Sequence, residues 1–326
     1  MSPMSTPPAV QARLLPSRLT LGTVQLGLAY GVANRAGQPS AAAARAILER
    51  ALELGVTSFD TAPAYGDAEQ RLGEVVRGRE VFVTSKLPSL TRAGVAPADV
   101  GRAVTSAVEA SLAKLGRLDA YLLHDASDLV TYGGRLLDAL SSQLTAGRIA
   151  RAGVSVYGPD DVVRLLGYPE LGAVQLPMSM LDLRMLPLLP RLRAAGIVTF
   201  ARSAFLQGLY ALTPDELPPR VAHARPWLRQ LIEVTAGAGT TPLAAALPFM
   251  ADVATDGGIS SVVIGVDTVA QLEANVADFA RPLPGGAALA AALRTRFAVV
   301  PADVVDPSRW PAEAAGAPAP APGAAS

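Results

Sequence analysis

The stretch from Thr57 to Val76, TSFDTAPAYGDAEQRLGEVV, contains one complete unit of a β-strand followed by an α-helix. Its start, Thr57–Asp60, is a short run typical of a buried strand, and its end, Glu69–Val76, repeats apolar residues at helical spacing. The same order recurs along the chain and predicts seven further strands: Leu19–Thr23, Val81–Ser85, Ala120–Leu123, Ala152–Ser155, Ala173–Leu176, Ile197–Ala201 and Ser261–Ile264. The remaining predicted helices are Ala42–Leu54, Pro97–Leu115, Gly134–Ala146, Pro159–Leu166, Met185–Ala195, Trp227–Ala238 with Leu243–Ala251, and Val269–Phe279.

Eight such units favour a single closed (β/α)8 barrel, the TIM-barrel fold, because parallel strands need right-handed crossovers and a cover of helices. The alternative is a doubly wound open sheet, which usually carries a glycine-rich phosphate loop after its first strand. The glycines in that region, Gly22, Gly27 and Gly31, lack the G-x-G-x-x-G spacing and do not lead directly into a helix. We therefore predict the barrel.

Composition excludes several classes of function. The 326 residues include 28 Lys plus Arg and 28 Asp plus Glu, so the basic excess typical of proteins that bind nucleic acid or anionic membranes is absent. The chain has no cysteine, which excludes a disulfide framework, a thiolate zinc site, an iron–sulfur cluster and a cysteine nucleophile. Its two histidines, His124 and His223, argue against a multi-histidine site, and we predict no metal. Since half of the residues are hydrophobic, we expect a neutral, well-packed enzyme.

The two ends of the chain differ in composition from the part between them. Prolines interrupt the apolar run that a signal peptide needs, so residues 1–14 are predicted to be a flexible, untargeted N-terminus. Residues 15–310 are predicted to form the barrel, and the Ala/Pro-rich residues 311–326 a disordered tail. No uninterrupted apolar run reaches the roughly 18 residues of a membrane-spanning helix, and we expect a cytoplasmic protein.

Polar residues stand at the carboxyl ends of the predicted strands, where the active site of a (β/α)8 barrel lies. They are Asp60 and Tyr65 after the second strand, Lys86 after the third and His124 after the fourth. Taken singly, each is also typical of a barrel rim, a solvated loop or a satisfied core residue. Together they form a proton-donating unit, because an ammonium favours the phenolate and lowers a tyrosine pKa from about 10, while an aspartate keeps that ammonium charged.

Neutral groups follow the later strands. Ser155 and Gln175 stand at the ends of the fifth and sixth strands and add hydrogen-bonding side chains. After the eighth strand, Gly265 begins a loop of small residues that opens a helix at Thr268. The amides of a helix N-terminus are suited to a phosphate.

Three of these segments resemble the motifs of the aldo-keto reductases. The segment Phe59–Glu74 resembles the family's FDTAxxYG…E..LG signature, Thr84–Lys86 its TK strand end, and Leu122–His124 its LLH motif. The similarity runs from about Leu21 to Asn275, which is most of the chain.

The resemblance implies an enzyme that reduces an aldehyde or ketone to an alcohol by hydride transfer from NAD(P)H. In this reading Tyr65 is the proton donor, Lys86 and Asp60 tune it, and His124 orients the carbonyl group. The cofactor, NADP or NAD, would lie across the strand ends, held by the family's motifs. The cofactor-binding residues implied are Gly22, Thr23, Asp60, Ser155, Gln175, Arg202, Ser203, Phe205, Gln207, Gly208, Gly265, Asp267, Gln271 and Asn275.

Three positions depart from the family's pattern. Val156 stands where asparagine is frequent, and Arg202 replaces the tyrosine that stacks under the nicotinamide, although a planar guanidinium can stack as well. Asp267 stands where an arginine often grips the 2′-phosphate of NADPH. A carboxylate repels a phosphate but accepts hydrogen bonds from a free ribose hydroxyl, whereas the helix N-terminus at Thr268 favours a phosphate. We predict that NADH is used at least comparably to NADPH.

The substrate is expected to be a small carbonyl compound bound by Tyr65, His124, Asp125 and Phe205. Leu129, Met178 and Tyr210 are further candidates for the pocket lining, and the family analogy implies a monomer. Two alternatives remain open. The chain could be a nucleotide-binding regulatory protein that keeps the reductase fold, or a Schiff-base aldolase with Lys86 as the nucleophile.

Overall fold

The computed structural model of this chain describes residues 14–35 and 37–311. Apart from Leu14 and Pro311, the predicted flexible N-terminus (1–14) and disordered tail (311–326) lie outside the described residues. None of the helices within the described ranges is both long enough and apolar enough to cross a membrane.

Eight parallel strands close into a barrel in chain order, which confirms the predicted (β/α)8 fold and excludes the doubly wound sheet. The last strand returns to the first, with Leu19 opposite Val262 and Gly22 opposite Gly265. Each predicted strand is present within a few residues of its expected bounds. The strands are β1 Leu19–Gly22, β2 Ser58–Asp60, β3 Phe82–Leu87, β4 Ala120–Leu123, β5 Ala152–Ser155, β6 Leu171–Pro177, β7 Val198–Arg202 and β8 Ser261–Gly265.

Helices connect the successive strands, and three more, α11 to α13, follow the last strand. They are α1 Val24–Gly27, α2 Ala41–Glu53, α3 Ala68–Val76, α4 Val100–Leu115, α5 Ser127–Tyr132, α6 Gly134–Thr145, α7 Pro159–Leu165, α8 Leu189–Ala194, α9 Arg225–Ala236, α10 Pro242–Thr255, α11 Val269–Phe279, α12 Gly286–Arg296 and α13 Ala302–Val305. The sequence did not predict α1, α5, α12 or α13. Their apolar spacing is weak or short, and their position depends on packing against the barrel.

The helix α2 illustrates why these segments are helical. Ser40 precedes it and accepts a hydrogen bond from the Ala43 amide, which caps its N-terminus. Its buried residues, Ala44, Ile47, Leu48 and Ala51, recur at the spacing of one helix face. This face packs on the barrel, while the opposite face remains in solvent.

Side chains fill the inside of the barrel, so the lumen is a core and not a pore. Phe82 of β3 and Phe200 of β7 meet there with ring centres 5.8 Å apart, packed with Ala120, Leu122, Ala173 and Val198. Because this end of the lumen is closed, a ligand can only approach the other end, where the strands finish and the predicted polar residues lie.

Candidate active site

A buried ion pair lies under the site. The Lys86 ammonium, in β3, donates to both oxygens of the Asp60 carboxylate at 2.8 Å and to the Thr61 carbonyl oxygen at 3.1 Å. Lys86 is fully buried and Asp60 is 4% exposed. Burial is the largest single effect and lowers the pKa of Lys86, but the Asp60 carboxylate and the Tyr65 hydroxyl together outweigh burial, and the pKa lies above its usual value. Lys86 therefore remains a cation.

Gln175 is a third member of this buried group. Its side-chain amide donates to Asp60 Oδ1 at 2.8 Å, from the end of β6 across the mouth of the barrel. Ser155 stands beside it on β5, in register with Gln175, and is almost fully buried. The resemblance implies that both residues contact the cofactor. The structure adds that one N–H of Gln175 already binds the Asp60 carboxylate.

Tyr65 lies over the ion pair, in the loop between β2 and α3. The Lys86 ammonium is 4.9 Å from the centre of the Tyr65 ring. The loop is held in place by a close backbone approach, because a Cβ atom at Gly27 would collide with the carbonyl oxygen of Tyr65. The chain therefore needs glycine at position 27 to place the phenol where it is.

The electrostatics of Tyr65 differ in sign from the sequence expectation. Burial raises the pKa of Tyr65 above its ordinary value, while the Lys86 charge acts to lower it, and burial is the larger effect. The phenol is thus held in its protonated form. The Lys86 ammonium would stabilise a Tyr65 phenolate, which forms only after the phenol has lost its proton.

His124 completes the predicted group of four. It follows β4, and its ring meets that of Tyr65 edge to face, with centroids 5.9 Å apart and planes at 87°. Burial, followed by the Lys86 charge, lowers the pKa of His124 to about 4. The imidazole is therefore neutral at neutral pH and acts as a hydrogen-bonding group.

A cavity of about 440 Å³ extends from Tyr65 along the strand ends to α11. Its lining includes every predicted cofactor-binding residue except Ser155. These lining residues are Gly22, Thr23, Asp60, Gln175, Arg202, Ser203, Phe205, Gln207, Gly208, Gly265, Asp267, Gln271 and Asn275. Lys86 and His124 do not line it: Lys86 is fully buried against Asp60, and the half-buried His124 ring packs edge to face on Tyr65 beside the cavity.

The loop after β7 has an unusual backbone in this cavity. Ser203, Leu206 and Gln207 have φ angles of 69°, 47° and 56°, in the left-handed region that residues other than glycine rarely adopt. Such conformations cluster at ligand sites, where the surrounding structure holds them. They turn this loop back along the cavity wall.

Asp267 marks the far end of the cavity. Its carboxylate accepts a hydrogen bond from the Asn34 side chain at 3.1 Å, and burial raises its pKa. Thr268 caps α11 by accepting from the Gln271 backbone amide, so the helix begins where the sequence predicted. Asp278 also lines this end and pairs with Arg281 at 2.7 Å. Among the described residues that line this cavity, Arg202 is the only Lys or Arg.

The loop between α1 and α2 forms one wall of the cavity, which the sequence did not predict. Its Val32 amide donates to the Gln207 carbonyl at 2.9 Å, and its Tyr30 hydroxyl accepts from the Gln207 side chain at 3.0 Å. Gln25 lines the cavity as well, and its side-chain oxygen has no hydrogen-bond partner among the described residues. Local sequence signals could not reveal this wall, because its partners lie more than 170 positions along the chain.

Of the residues predicted to contact the substrate or line its pocket, only Tyr65 and Phe205 are among the described residues that line this cavity. Phe205 lines it, but Asp125 does not. The Asp125 carboxylate is engaged by Ser127, Ser89 and Arg92, which hold the loop after β4. Leu129, Met178 and Tyr210 are buried in the core instead, so the expectation that they line the pocket is wrong. Sequence position near a strand end does not show whether a side chain turns outward or inward.

Comparisons with known proteins agree with this architecture. The family model described as "Aldo/keto reductase family" matches residues 18–285. An uncharacterized oxidoreductase of Mycobacterium tuberculosis is 35% identical over 146 residues, which is 43% of this chain and 42% of that protein. The methylglyoxal reductase of Escherichia coli is 33% identical over 130 residues, 38% of this chain and 43% of that protein. These alignments span less than half of the length of either relative.

A solved structure shares the fold over nearly its whole length. The holo form of an aldo-keto reductase from Bacillus halodurans superposes with a TM-score of 0.70 at 22% identity, over 92% of this chain and 97% of that one. This chain belongs to the aldo/keto reductase family, because the family model covers most of its length.

The cavity suits the dinucleotide cofactor that the family implies. Gly265 leaves room at the end of β8, where an added Cβ would collide with the Gln25 amide. The Gln25 oxygen without a partner, the left-handed loop at Ser203 and the capped N-terminus of α11 provide polar groups along the cavity. These residues would hold the cofactor, with its reacting end beside Tyr65.

Proposed function

We propose that this protein reduces an aldehyde or ketone to an alcohol with a nicotinamide cofactor, with Tyr65 as the proton donor. The observation that carries the proposal is the position of a protonated phenol between a buried cation and a cavity shaped for a dinucleotide. When bound, the reduced cofactor supplies a hydride to the carbonyl carbon. The protein supplies the proton and the electrostatic environment.

Each residue of the group has one task in this reaction. Tyr65 gives its hydroxyl proton to the carbonyl oxygen, and the Lys86 ammonium stabilises the phenolate that remains. Asp60 holds Lys86 in place and keeps it charged. The neutral His124 imidazole orients the carbonyl oxygen through its N–H, and Tyr65 then recovers a proton from solvent.

The charge distribution in the cavity supports use of NADH at least as well as NADPH. Asp267 and Asp278 line its far end, and Arg281 is already paired with Asp278. Since none of the described residues that line this end is a Lys or Arg, a 2′-phosphate would meet carboxylates there, whereas a ribose hydroxyl would meet acceptors.

The aldolase alternative is disfavoured by the ion pair. A Schiff base requires an uncharged lysine amine, and the Asp60 carboxylate keeps Lys86 protonated. A protein that only senses a nucleotide would have no need of this buried group. We also propose that the barrel acts as a monomer in the cytoplasm, because its composition and family analogy favour that state; light scattering after size exclusion tests the oligomeric part.

A carbonyl-substrate panel followed by NADH and NADPH absorbance tests the function, with a Tyr65→Phe variant as the mechanistic comparison. We expect Tyr65→Phe to lose about 100-fold or more of kcat, the usual contribution of a general acid, with cofactor affinity unchanged. Near-normal turnover in that variant would remove Tyr65 from the mechanism.

A further inference from the structure

Arg202 is a cation in the cavity without a carboxylate partner. It ends β7, and its guanidinium stacks on the Tyr157 ring at 4.5 Å. One terminal nitrogen donates to the Val156 carbonyl at 3.0 Å and the other to the Ser203 hydroxyl at 3.2 Å. Among the described residues, no carboxylate lies within ion-pair distance of Arg202. Two of its five N–H groups are used by these bonds, which leaves three for a ligand.

The other charges around Tyr65 are balanced. Lys86 is paired with Asp60, Arg92 with Asp125, and the His124 ring is neutral. Arg202 therefore leaves one uncompensated positive charge at this end of the cavity, while the carboxylates Asp267 and Asp278 line the other end.

Arg202 lies on the side of the cavity near Tyr65, because it ends β7 opposite Pro177 of β6, two positions beyond Gln175, whose side chain binds Asp60. Its charge acts on Tyr65 and on His124, the two groups that contact the carbonyl oxygen in the proposed reaction. Stacking on Tyr157 and the bond to Val156 fix the plane of the guanidinium, so its free N–H groups are held ready for a planar anion. A fixed guanidinium matches a carboxylate through two parallel hydrogen bonds.

We infer that Arg202 binds an anionic group carried by the carbonyl substrate, so that the preferred substrates are oxo acids. The inference rests on the proposed function and adds the substrate class. The resemblance implies a different role, in which this guanidinium stacks under the nicotinamide of the cofactor, and the experiment separates these two roles.

The test compares acids with their neutral methyl esters. The pairs are pyruvate and methyl pyruvate, succinic semialdehyde and methyl 4-oxobutanoate, and 4-carboxybenzaldehyde and methyl 4-formylbenzoate. Each is assayed with the parent, with Arg202→Met and Arg202→Lys, and with Arg164→Met as a matched control. Arg164 lies on α7 and pairs with Asp161, so that control removes an equal charge away from the cavity.

We expect at least one acid to exceed its ester about tenfold or more in kcat/KM in the parent, as for a hydrogen bond to a charged group. Arg202→Met should abolish that preference, Arg202→Lys should keep part of it, and Arg164→Met should keep all of it. Equal kcat/KM for acid and ester in every pair would overturn the inference while leaving the reductase function intact. Equal losses for acids and esters, together with weaker NADH binding, would assign Arg202 to the cofactor and also overturn it.

A binding measurement keeps the inference testable if no compound in the panel is reduced, an outcome that counts against the proposed function. Oxamate, an inert analogue of an oxo acid, is titrated calorimetrically into the parent and the variants in the presence of NAD. Binding that weakens about tenfold in Arg202→Met, but not in Arg164→Met, supports the anion site. If the parent reduces no compound of the panel and also does not bind oxamate, the inference is overturned.

Discussion

The substitution Asp60→Asn should destabilise the protein strongly, because it leaves the Lys86 ammonium buried without a counter-ion. Lys86 has no exposed surface and now donates to both Asp60 oxygens at 2.8 Å. Removing one partner of a buried pair costs about 3–5 kcal/mol. The asparagine oxygen can still accept from Lys86 or Gln175, so we expect a loss near the lower figure, about 3 kcal/mol.

A double-mutant cycle separates this effect from simple loss of packing. Lys86→Met alone strands the Asp60 carboxylate and should cost a similar amount, about 3 kcal/mol. The double variant removes both charges, so its loss should fall short of the sum by about 2 kcal/mol or more. Because a stranded buried ammonium can release its proton, its folded-state pKa falls below the unfolded value, and the Asp60→Asn loss should shrink as the pH rises.

Urea unfolding at several pH values measures the free energies, with an unchanged m-value as the check on comparable transitions. Asp267→Asn is the matched control. That carboxylate is half-buried and accepts from the Asn34 amide, and its removal strands no cation, so we expect a change below about 1 kcal/mol. Additive losses in the cycle, or a loss below about 1 kcal/mol in Asp60→Asn, would refute the reasoning.

Three further changes test other parts of the site. The pKa of His124 is about 4 in the folded protein and about 6.5 in the unfolded chain, so the stability that the neutral ring contributes is complete above pH 6.5. We expect the free energy of unfolding to fall by about 2 kcal/mol between pH 7 and pH 4.5 because of this residue. Urea unfolding of His124→Asn should not show this fall, and identical pH profiles of the parent and the variant would contradict the prediction. Gly27→Ala should lower both the melting temperature and kcat/KM, because the added Cβ displaces Tyr65. Gly101→Ala is the control: its added Cβ meets no other atom, and the variant should stabilise α4 by up to about 1 kcal/mol. Equal behaviour of the two variants would contradict this prediction. Asp267→Arg should strengthen the binding of NADPH relative to NADH by about tenfold or more, as measured by the two dissociation constants. If the parent already binds NADPH about tenfold more tightly than NADH, the argument that the Asp267 and Asp278 carboxylates disfavour a 2′-phosphate is wrong.

The barrel itself could be predicted from the sequence, for a local reason. Short apolar strands and amphipathic helices alternate eight times, and each signal lies within a few consecutive residues. Once the strands are parallel in one barrel, their carboxyl ends must meet at one face, which brings Asp60, Lys86 and His124 together. The sequence did not predict α12 and α13, because their apolar residues do not recur at a clear helical spacing.

The tertiary structure decided what those residues experience. Burial, which no local pattern reports, holds Tyr65 protonated and leaves His124 neutral. Contacts between distant segments place Tyr30 against Gln207 and join Gln175 to Asp60. They also turn Tyr210 into the core, although it was predicted as a loop residue of the substrate pocket. Sequence spacing determines which backbone positions lie at the mouth of the barrel, whereas side-chain direction, burial and charge pairing depend on neighbours that only the closed barrel supplies.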